Sequence, residues 1–422
     1  MSIYIVTDSS TYEKRAELVY RYCTEHGYDA VLIGTAFDHR AKKKREEASG
    51  RIYIDAGGYK KNISIERLWY HHKFAKMAHR LLRSMIEEKQ AACGSEVKSG
   101  SKAGADGIHD GIINAENADM LYILLPGNSL AGVGARLKKE YGCRLIFDII
   151  DLWPESLPIG GAWRTLPVKY WKRLRDDYLK IADHIVTECG LYRELLGLCT
   201  DKTSIMYWPK QENVKLSDGS ADAANNSIHI AYLGSINNII DIQLITELLS
   251  YVNKKRHVIL NVIGDGESRE IFLSSAAAAG IEAHYHGAIF DEAKKQRILQ
   301  SCEWGINIMK PGVKVGLTMK SVEYMANGLK LINNIPGDTW ELVESISIGV
   351  NVRAESDEKS DCGIGSGRSN HKASFVPYRK QALQEAAEKI CSFEGADRKT
   401  IHGLFEEKFS VEAMNRVLGR IL

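Results

Sequence analysis

At 422 residues, 44% hydrophobic and 26% charged, the chain is long enough for two hydrophobic cores and has an ordinary globular composition. A net charge of +2 excludes a general nucleic-acid binder, and no run approaches the ~20 apolar residues of a membrane-spanning helix. The eight cysteines include no C-x-x-C pair, which excludes a disulfide frame or zinc ribbon and points to reduced thiols of a cytoplasmic protein.

The apolar run at 3–7 ends in Asp8-Ser9-Ser10, ahead of a helical stretch at 12–26 and a second apolar run at 30–34. That order opens a Rossmann-like sheet, and the start lacks the basic and apolar regions of a signal peptide. The G-x-G-x-x-G loop of a dinucleotide binder is missing. Residues 40–90 carry fourteen Lys or Arg against six Asp or Glu. Within them a helix is expected over 64–89. At about 100° per residue, Lys73, Lys76, Arg80 and Arg83 share one side and Phe74, Met77, Leu81 and Met85 another. The basic side reads either as a solvated face or as one that meets anionic lipid headgroups or a diphosphate-linked acceptor. A Gly, Ser and Lys rich loop is expected at 92–107.

Buried strands are expected at 120–125 and 144–150, with a helix at 129–141 between them. The second strand runs into Asp151-Leu152-Trp153-Pro154-Glu155-Ser156. Ligands of parallel sheets collect at the carboxyl ends of strands, so Asp151 and Glu155 are candidate catalytic carboxylates; the alternative is a capped, packed loop. A helix at 167–182, a strand at 184–187, a helix from 191 and a strand at 204–207 complete this half. The polar stretch 209–226 reads as a linker.

A second α/β series follows: strands at 228–233, 258–263, 283–285 and 304–309, with helices at 241–253, up to 279, and 291–300. It leads to Gly316-Leu317-Thr318-Met319-Lys320-Ser321-Val322-Glu323-Tyr324-Met325-Ala326-Asn327-Gly328, a loop and short helix stopped by Gly328 ahead of a buried strand. The N–H groups of such a helix start can accept a phosphate or pyrophosphate, and Glu323 can accept from vicinal hydroxyls; ordinary α/β structure is the competing reading. A polar insertion at 354–374, a helix at 379–392 and an amphipathic closing helix at 411–422 are expected to end the chain.

Taken together, these motifs resemble the GT-B glycosyltransferases, and within them the bacterial family 4 enzymes of polysaccharide assembly. The resemblance covers most of the chain. It rests on Asp151 to Ser156, Tyr232-Leu233-Gly234-Ser235, Gly264-Asp265-Gly266, His286-Gly287 and, most specifically, Lys320-Ser321-Val322-Glu323-Tyr324-Met325-Ala326-Asn327-Gly328. It implies an α/β chain of GT-B architecture, two Rossmann-like doubly wound domains facing across a cleft. The expected division is an acceptor domain over 1–208, a linker over 209–226, a donor-binding domain over 227–405 and a closing segment over 406–422 that packs back on the first domain.

The implied activity is transfer of a sugar, with retention, from a nucleotide-sugar donor to a glycan or lipid-linked acceptor, in capsule or exopolysaccharide synthesis. The resemblance assigns ribose hydroxyls to Glu323, the diphosphate to Thr318, Lys320 and Ser321, and the base and phosphate region to Gly234, Gly264 and Gly287. No cofactor or metal is expected, in keeping with the absence of Asp-x-Asp. Cytoplasmic placement at the inner face of a membrane follows from the same likeness.

Three departures stand against it. Val315 replaces a sugar-contacting Glu, Gly234 is not followed by the usual Arg and Lys, and Ile150 rather than Arg precedes Asp151. Lys310, Lys314 or Lys320 are the candidates to restore diphosphate charge. A non-catalytic partner of the same architecture and a nucleotide-sugar epimerase are the alternative readings.

Overall fold

Runs of β-branched and aromatic residues alternate with helical stretches, and in the computed structural model they form two parallel sheets, each covered by helices. The structure describes residues 1–39, 41–44, 51–60, 64–98, 118–125, 127–155, 166–210, 214–216, 226–311, 313, 315–353 and 372–422. The chain divides into two units. The first comprises Met1–Glu188, Tyr192–Tyr207 and Asn415–Leu422, and the second Cys189–Leu191 and Trp208–Met414.

The strands of the first unit are β1 (Ser2–Val6), β2 (Asp29–Thr35), β3 (Phe37–Asp38), β4 (Lys43–Lys44), β5 (Arg51–Ile54), β6 (Met120–Leu125), β7 (Arg144–Ile149), β8 (His184–Thr187) and β9 (Thr203–Ile205). Seven of them form one sheet in the order β5-β2-β1-β6-β7-β8-β9, while β3 and β4 pair as a separate antiparallel ribbon. Its helices are α1 (Glu13–Glu25), α2 (Ile65–Lys98), α3 (Ser129–Tyr141) and α4 (Leu166–Leu179), followed by α5 (Gly190–Leu195) at the unit boundary. α3 lies close on the sheet because Gly134 has no side chain: a Cβ there would stand 2.6 Å from Leu145 and 2.7 Å from Ile123. The chain's last residues belong here too, with Arg144 donating to the carbonyls of Ile421 at 2.8 Å and Leu422 at 3.1 Å.

The second unit holds β10 (Ser227–Leu233), β11 (His257–Ile263), β12 (Glu282–Gly287), β13 (Trp304–Asn307), β14 (Lys330–Asn333) and β15 (Gly349–Asn351) in the order β12-β11-β10-β13-β14-β15. Around it lie α6 (Ile242–Asn253), α7 (Arg269–Ala278), α8 (Glu292–Gln300), α9 (Met319–Ala326), α10 (Asp338–Ile346), α11 (Lys372–Cys391) and α12 (Arg398–Phe409), while α13 (Val411–Ile421) starts in this unit and belongs to the first from Asn415 on. Its core interleaves Ile228, Ile230 and Tyr232 of β10 with Leu244, Leu248 and Phe272 from the helices.

Several expectations change. α2 continues through the Ala-Cys-Gly-Ser stretch to Lys98, where a loop was expected from 92; residues 99–107 of that loop lie outside the described residues. Its core face is Phe74, Ala75, Ala78, Leu82 and Ile86, with Met77, Leu81 and Met85 only partly buried at the flanks. The apolar count misplaced that face because it overlooked two alanines. α12 was not foreseen, and most of the insertion, residues 354–371, lies outside the described residues. Among the described cysteines, Cys23, Cys143, Cys189 and Cys302 are buried thiols, whereas Cys199 is exposed. No described helix is long and apolar enough to cross a membrane.

One buried ion pair ties the first unit together. Arg15 of α1 meets Asp148 of β7 through two hydrogen bonds of 2.8 Å, both side chains being fully buried. Arg15 also donates to the Met206 carbonyl at 2.9 Å, and the Tyr122 hydroxyl to Asp148 at 2.8 Å. Removing one partner leaves an unpaired charge in a low-dielectric core. Asp148→Ala is therefore expected to lower unfolding stability by about 3–5 kcal/mol, read from urea unfolding midpoints. A loss below ~1 kcal/mol would show that water reaches Arg15.

Candidate functional site

Each unit carries a cluster of chemistry-bearing side chains at the carboxyl ends of its own sheet. In the second unit β10 and β13 are neighbours, yet the chain winds away from them in opposite directions, so the loops leaving their carboxyl ends part. Gly234 follows β10 with φ 115°, Gly264 follows β11 with φ 142°, and Gly287 ends β12. A Cβ on Gly264 would lie 1.9 Å from the Gly234 carbonyl oxygen, while the Gly264 N–H donates to the Gly287 carbonyl at 2.8 Å. The three glycines thus layer bare backbone over one end of the sheet.

On the other side of the parting stands α9. Thr318 caps it, accepting from the Ser321 N–H at 3.1 Å and donating from its hydroxyl to Asn307 Oδ1 at 2.8 Å. Asn307 Nδ2 in turn donates to Ser321 Oγ at 3.1 Å and to Asn333 Oδ1 at 2.8 Å. These hydroxyls are turned inward and Ser321 is fully buried. What the helix start offers an anion is the N–H groups of Met319 and Lys320, which have no acceptor within the helix. The Tyr324 hydroxyl fixes α9 over the sheet by accepting from Leu233 N at 2.8 Å and donating to the Ile306 carbonyl at 3.2 Å. Its ring occupies the place a side chain at Gly305 would fill.

Two kinds of lysine surround this helix. Lys320 has its ammonium 4.9 Å from the Tyr232 ring centre, and among the described residues no carboxylate pairs with it. Burial pulls its pKa down to about 8. Glu323, in contrast, is already ion-paired. Lys210 donates to its Oε2 at 2.7 Å, and Lys295 lies 3.5 Å from its Oε1. Lys295 is bonded to Glu292 at 2.7 Å; burial opposes its charge, but that hydrogen bond and the Glu323 charge leave its pKa raised. Lys310 is exposed, and its backbone N–H donates to the Ile239 carbonyl at 2.8 Å. Lys314 lies outside the described residues.

In the first unit the winding reverses between β1 and β6. Asp151, just past β7, accepts from the Tyr12 hydroxyl at 2.9 Å, and burial together with the Asp151 charge holds that phenol protonated. Glu155 is ion-paired: Arg175, fully buried, donates to its two oxygens at 2.7 and 3.3 Å, and Lys172 lies 3.2 Å off. This carboxylate is a brace for the turn, since Arg175 also donates to the Trp153 carbonyl at 3.0 Å.

Sequence reasoning missed a second carboxylate nearby. Asp8, following β1, meets His71 Nδ1 at 2.6 Å, and Arg67 Nε donates to His71 Nε2 at 3.2 Å. The Arg67 guanidinium in turn stacks 3.6 Å from the Trp153 ring centre. Gly127 leaves room for the Asp8 carboxylate, whose Oδ2 would lie 2.1 Å from a Cβ. His39 stands by, with Nδ1 accepting from Ser10 N at 3.2 Å and burial lowering its pKa to about 4. Arg67 and His71 at i and i+4, after an Asp at a strand end, were the available signal.

No sequence-family profile matches the chain, and no curated protein matches it in sequence. Solved structures match it along its length. It is similar to the lipopolysaccharide outer core galactosyltransferase WaaB in its apo form, at 12% identity over 100% of both chains with a TM-score of 0.62. It is similar to sucrose-phosphate synthase from Thermosynechococcus elongatus, at 12% identity over 100% of this chain and 98% of that one, TM-score 0.57. Anabaena HepE in complex with UDP matches at 12% identity over 100% and 99%, TM-score 0.54. At such identity the likeness establishes the fold: the chain has the GT-B fold, built of two Rossmann-like domains.

An anion that needs Lys320 protonated should bind less tightly as pH rises through about 8, because the ammonium is lost there. Titration calorimetry with UDP from neutral pH upward is expected to show that fall in affinity, and Lys320→Met is expected to abolish it. A pH-independent affinity in the native chain would place the anion elsewhere.

Proposed function

We propose that the chain is a glycosyltransferase that moves a sugar, with retention, from a nucleotide-sugar donor to a glycan or lipid-linked acceptor. The observation that carries this reading is Lys320, a half-buried ammonium without a carboxylate partner among the described residues, at the positive end of α9 where the second sheet's winding reverses. It suits a diphosphate. Glu323 three residues on suits the ribose, and the backbone at Gly234, Gly264 and Gly287 suits close approach of base and phosphates. The UDP bound by HepE supports a nucleoside diphosphate as the leaving group.

In this reading the bond from the anomeric carbon to the diphosphate oxygen breaks with its electron pair leaving on that oxygen, a bond to the acceptor oxygen forms, and the acceptor hydroxyl's proton passes to the departing diphosphate. The Lys320 ammonium and the α9 N–H dipoles stabilise the charge that grows on the leaving diphosphate, where electrostatic assistance matters most. Asp151, steadied by Tyr12, orients the acceptor hydroxyl. Glu155, expected at first as a catalytic group, we now assign to bracing the Trp153 turn. No resident cofactor or metal is called for by this scheme.

The acceptor side is taken to lie toward an anionic membrane surface through α2, with a role in capsule or exopolysaccharide assembly. Ile65 and Trp69, 68% and 71% exposed, line a groove of about 610 Å³ with Lys73 and Lys76. Arg80 follows along the same exposed side, while Arg83 is drawn to Glu87 at 2.9 Å and contributes less. Each basic group near such a surface adds about 1 kcal/mol.

Incubation of the purified chain with UDP-, GDP- and dTDP-sugars, read by mass spectrometry, is expected to show donor hydrolysis or transfer. Free epimer would point to an epimerase, and no turnover or nucleotide binding at any donor to a non-catalytic partner. Asp151→Asn should lower kcat roughly 10²-fold or more while donor affinity holds; full activity would reduce Asp151 to a loop cap. Charge reversal at Lys73, Lys76 and Arg80 is expected to cut sedimentation with anionic liposomes at least about tenfold, each lost contact removing about 1 kcal/mol. Unchanged sedimentation would leave α2 a solvated face.

A further inference from the structure

Around Glu323 the structure assembles four charges from separate parts of the second unit. Glu292 and Lys295 come from α8, Glu323 from α9, and Lys210 from the segment just past the unit boundary. The short contacts are Lys210 to Glu323 Oε2 and Lys295 to Glu292 Oε1, both 2.7 Å. The crossed contacts are long, 3.5 Å from Lys295 to Glu323 Oε1 and 3.7 Å from Lys210 to Glu292 Oε2. The result is one hydrogen-bonded oxygen and one spare oxygen on each carboxylate: Glu323 Oε1 and Glu292 Oε2 are shielded from solvent and accept no hydrogen bond from the described residues. Buried acceptors of this kind call for a partner.

The charge balance says what kind of partner. Among the described residues, two carboxylates against two ammonium groups sum to zero, so their cluster draws neither anion nor cation. A hydroxyl suits it, because it can donate to the spare oxygen and accept from the ammonium facing it across the long contact. Two such places call for two neighbouring hydroxyls. The ammonium groups also allow carboxylates to stand near an anionic diphosphate, which they would otherwise repel. The Glu292 side chain is 42% exposed and gives the cluster an open side.

We infer that Glu292 is a second diol-binding carboxylate: its Oε2 and Glu323 Oε1 each accept from one hydroxyl of the donor's ribose, with Lys210 and Lys295 as positioning residues. The inference rests on the donor reading above and sharpens it, since it makes the substrate a ribonucleotide sugar rather than a 2′-deoxyribonucleotide sugar.

The full chain is titrated calorimetrically with UDP, GDP, ADP and CDP and with their 2′-deoxy counterparts. At least one ribonucleotide is expected to bind about tenfold more tightly than its deoxy form, the size of one lost hydrogen bond to a charged group. Glu292→Ala should erase most of that preference by weakening the ribonucleotide alone, with the melting temperature tracked to confirm folding. Lys210→Met should weaken both forms, and Lys210→Arg should restore them. An undiminished preference in Glu292→Ala, or equal weakening of both forms, overturns the Glu292 assignment while leaving the donor reading standing. No binding of any nucleotide by the native chain overturns both.

Discussion

A parallel sheet whose chain starts in the middle and winds outward both ways has one place where adjoining loops part, and both sheets of this chain gather polar side chains near it. In the second sheet that place must be held open and rigid at once. Tyr324 does this with a single hydroxyl that joins β10 to β13, and the missing side chain at Gly305 makes room for its ring. The Asn307, Asn333 and Asn351 side chains, at paired positions on β13, β14 and β15, continue the bracing across the sheet through bonds of 2.8 Å. In the first sheet, Gly127 beside Asp8 plays the corresponding part at the end of β6.

On this frame the charges sort by what surrounds them. Lys320 is half-buried without a counter-charge among the described residues, which is costly unless a ligand supplies one. Lys210 and Lys295 stand a short distance along the same helix system with two carboxylates between them, and that cluster is neutral. The same residue type therefore has opposite meanings within one site. Asp151 and Glu155 differ as well: Asp151 accepts from the Tyr12 phenol, and Glu155 from the buried Arg175 guanidinium.

What could be read in advance was whatever depends on near neighbours. The Thr318 cap, the Gly328 stop and the buried strand after it are local matters, and α9 forms where its residues indicated. The alternation of strands and helices gave the doubly wound architecture for the same reason. Errors arose where packing overruled local preference. α2 runs on through Gly94 and Ser95 because a helix already nucleated loses little by crossing weak formers. Its buried face was misphased because Ala75 and Ala78 carry little hydrophobic weight, yet small side chains are what a close neighbour selects.

The residues by themselves determined two Rossmann-like folding units and an anion-ready helix start, since periodicity, caps and glycine stops act within a few positions. Only the tertiary structure decided which polar groups are spent and which are spare. Lys210 reaches Glu323 across 113 positions, Asp8 reaches His71 across 63 and Arg15 reaches Asp148 across 133. No local pattern encodes such pairings, because they exist only once the sheets have brought the strand ends together.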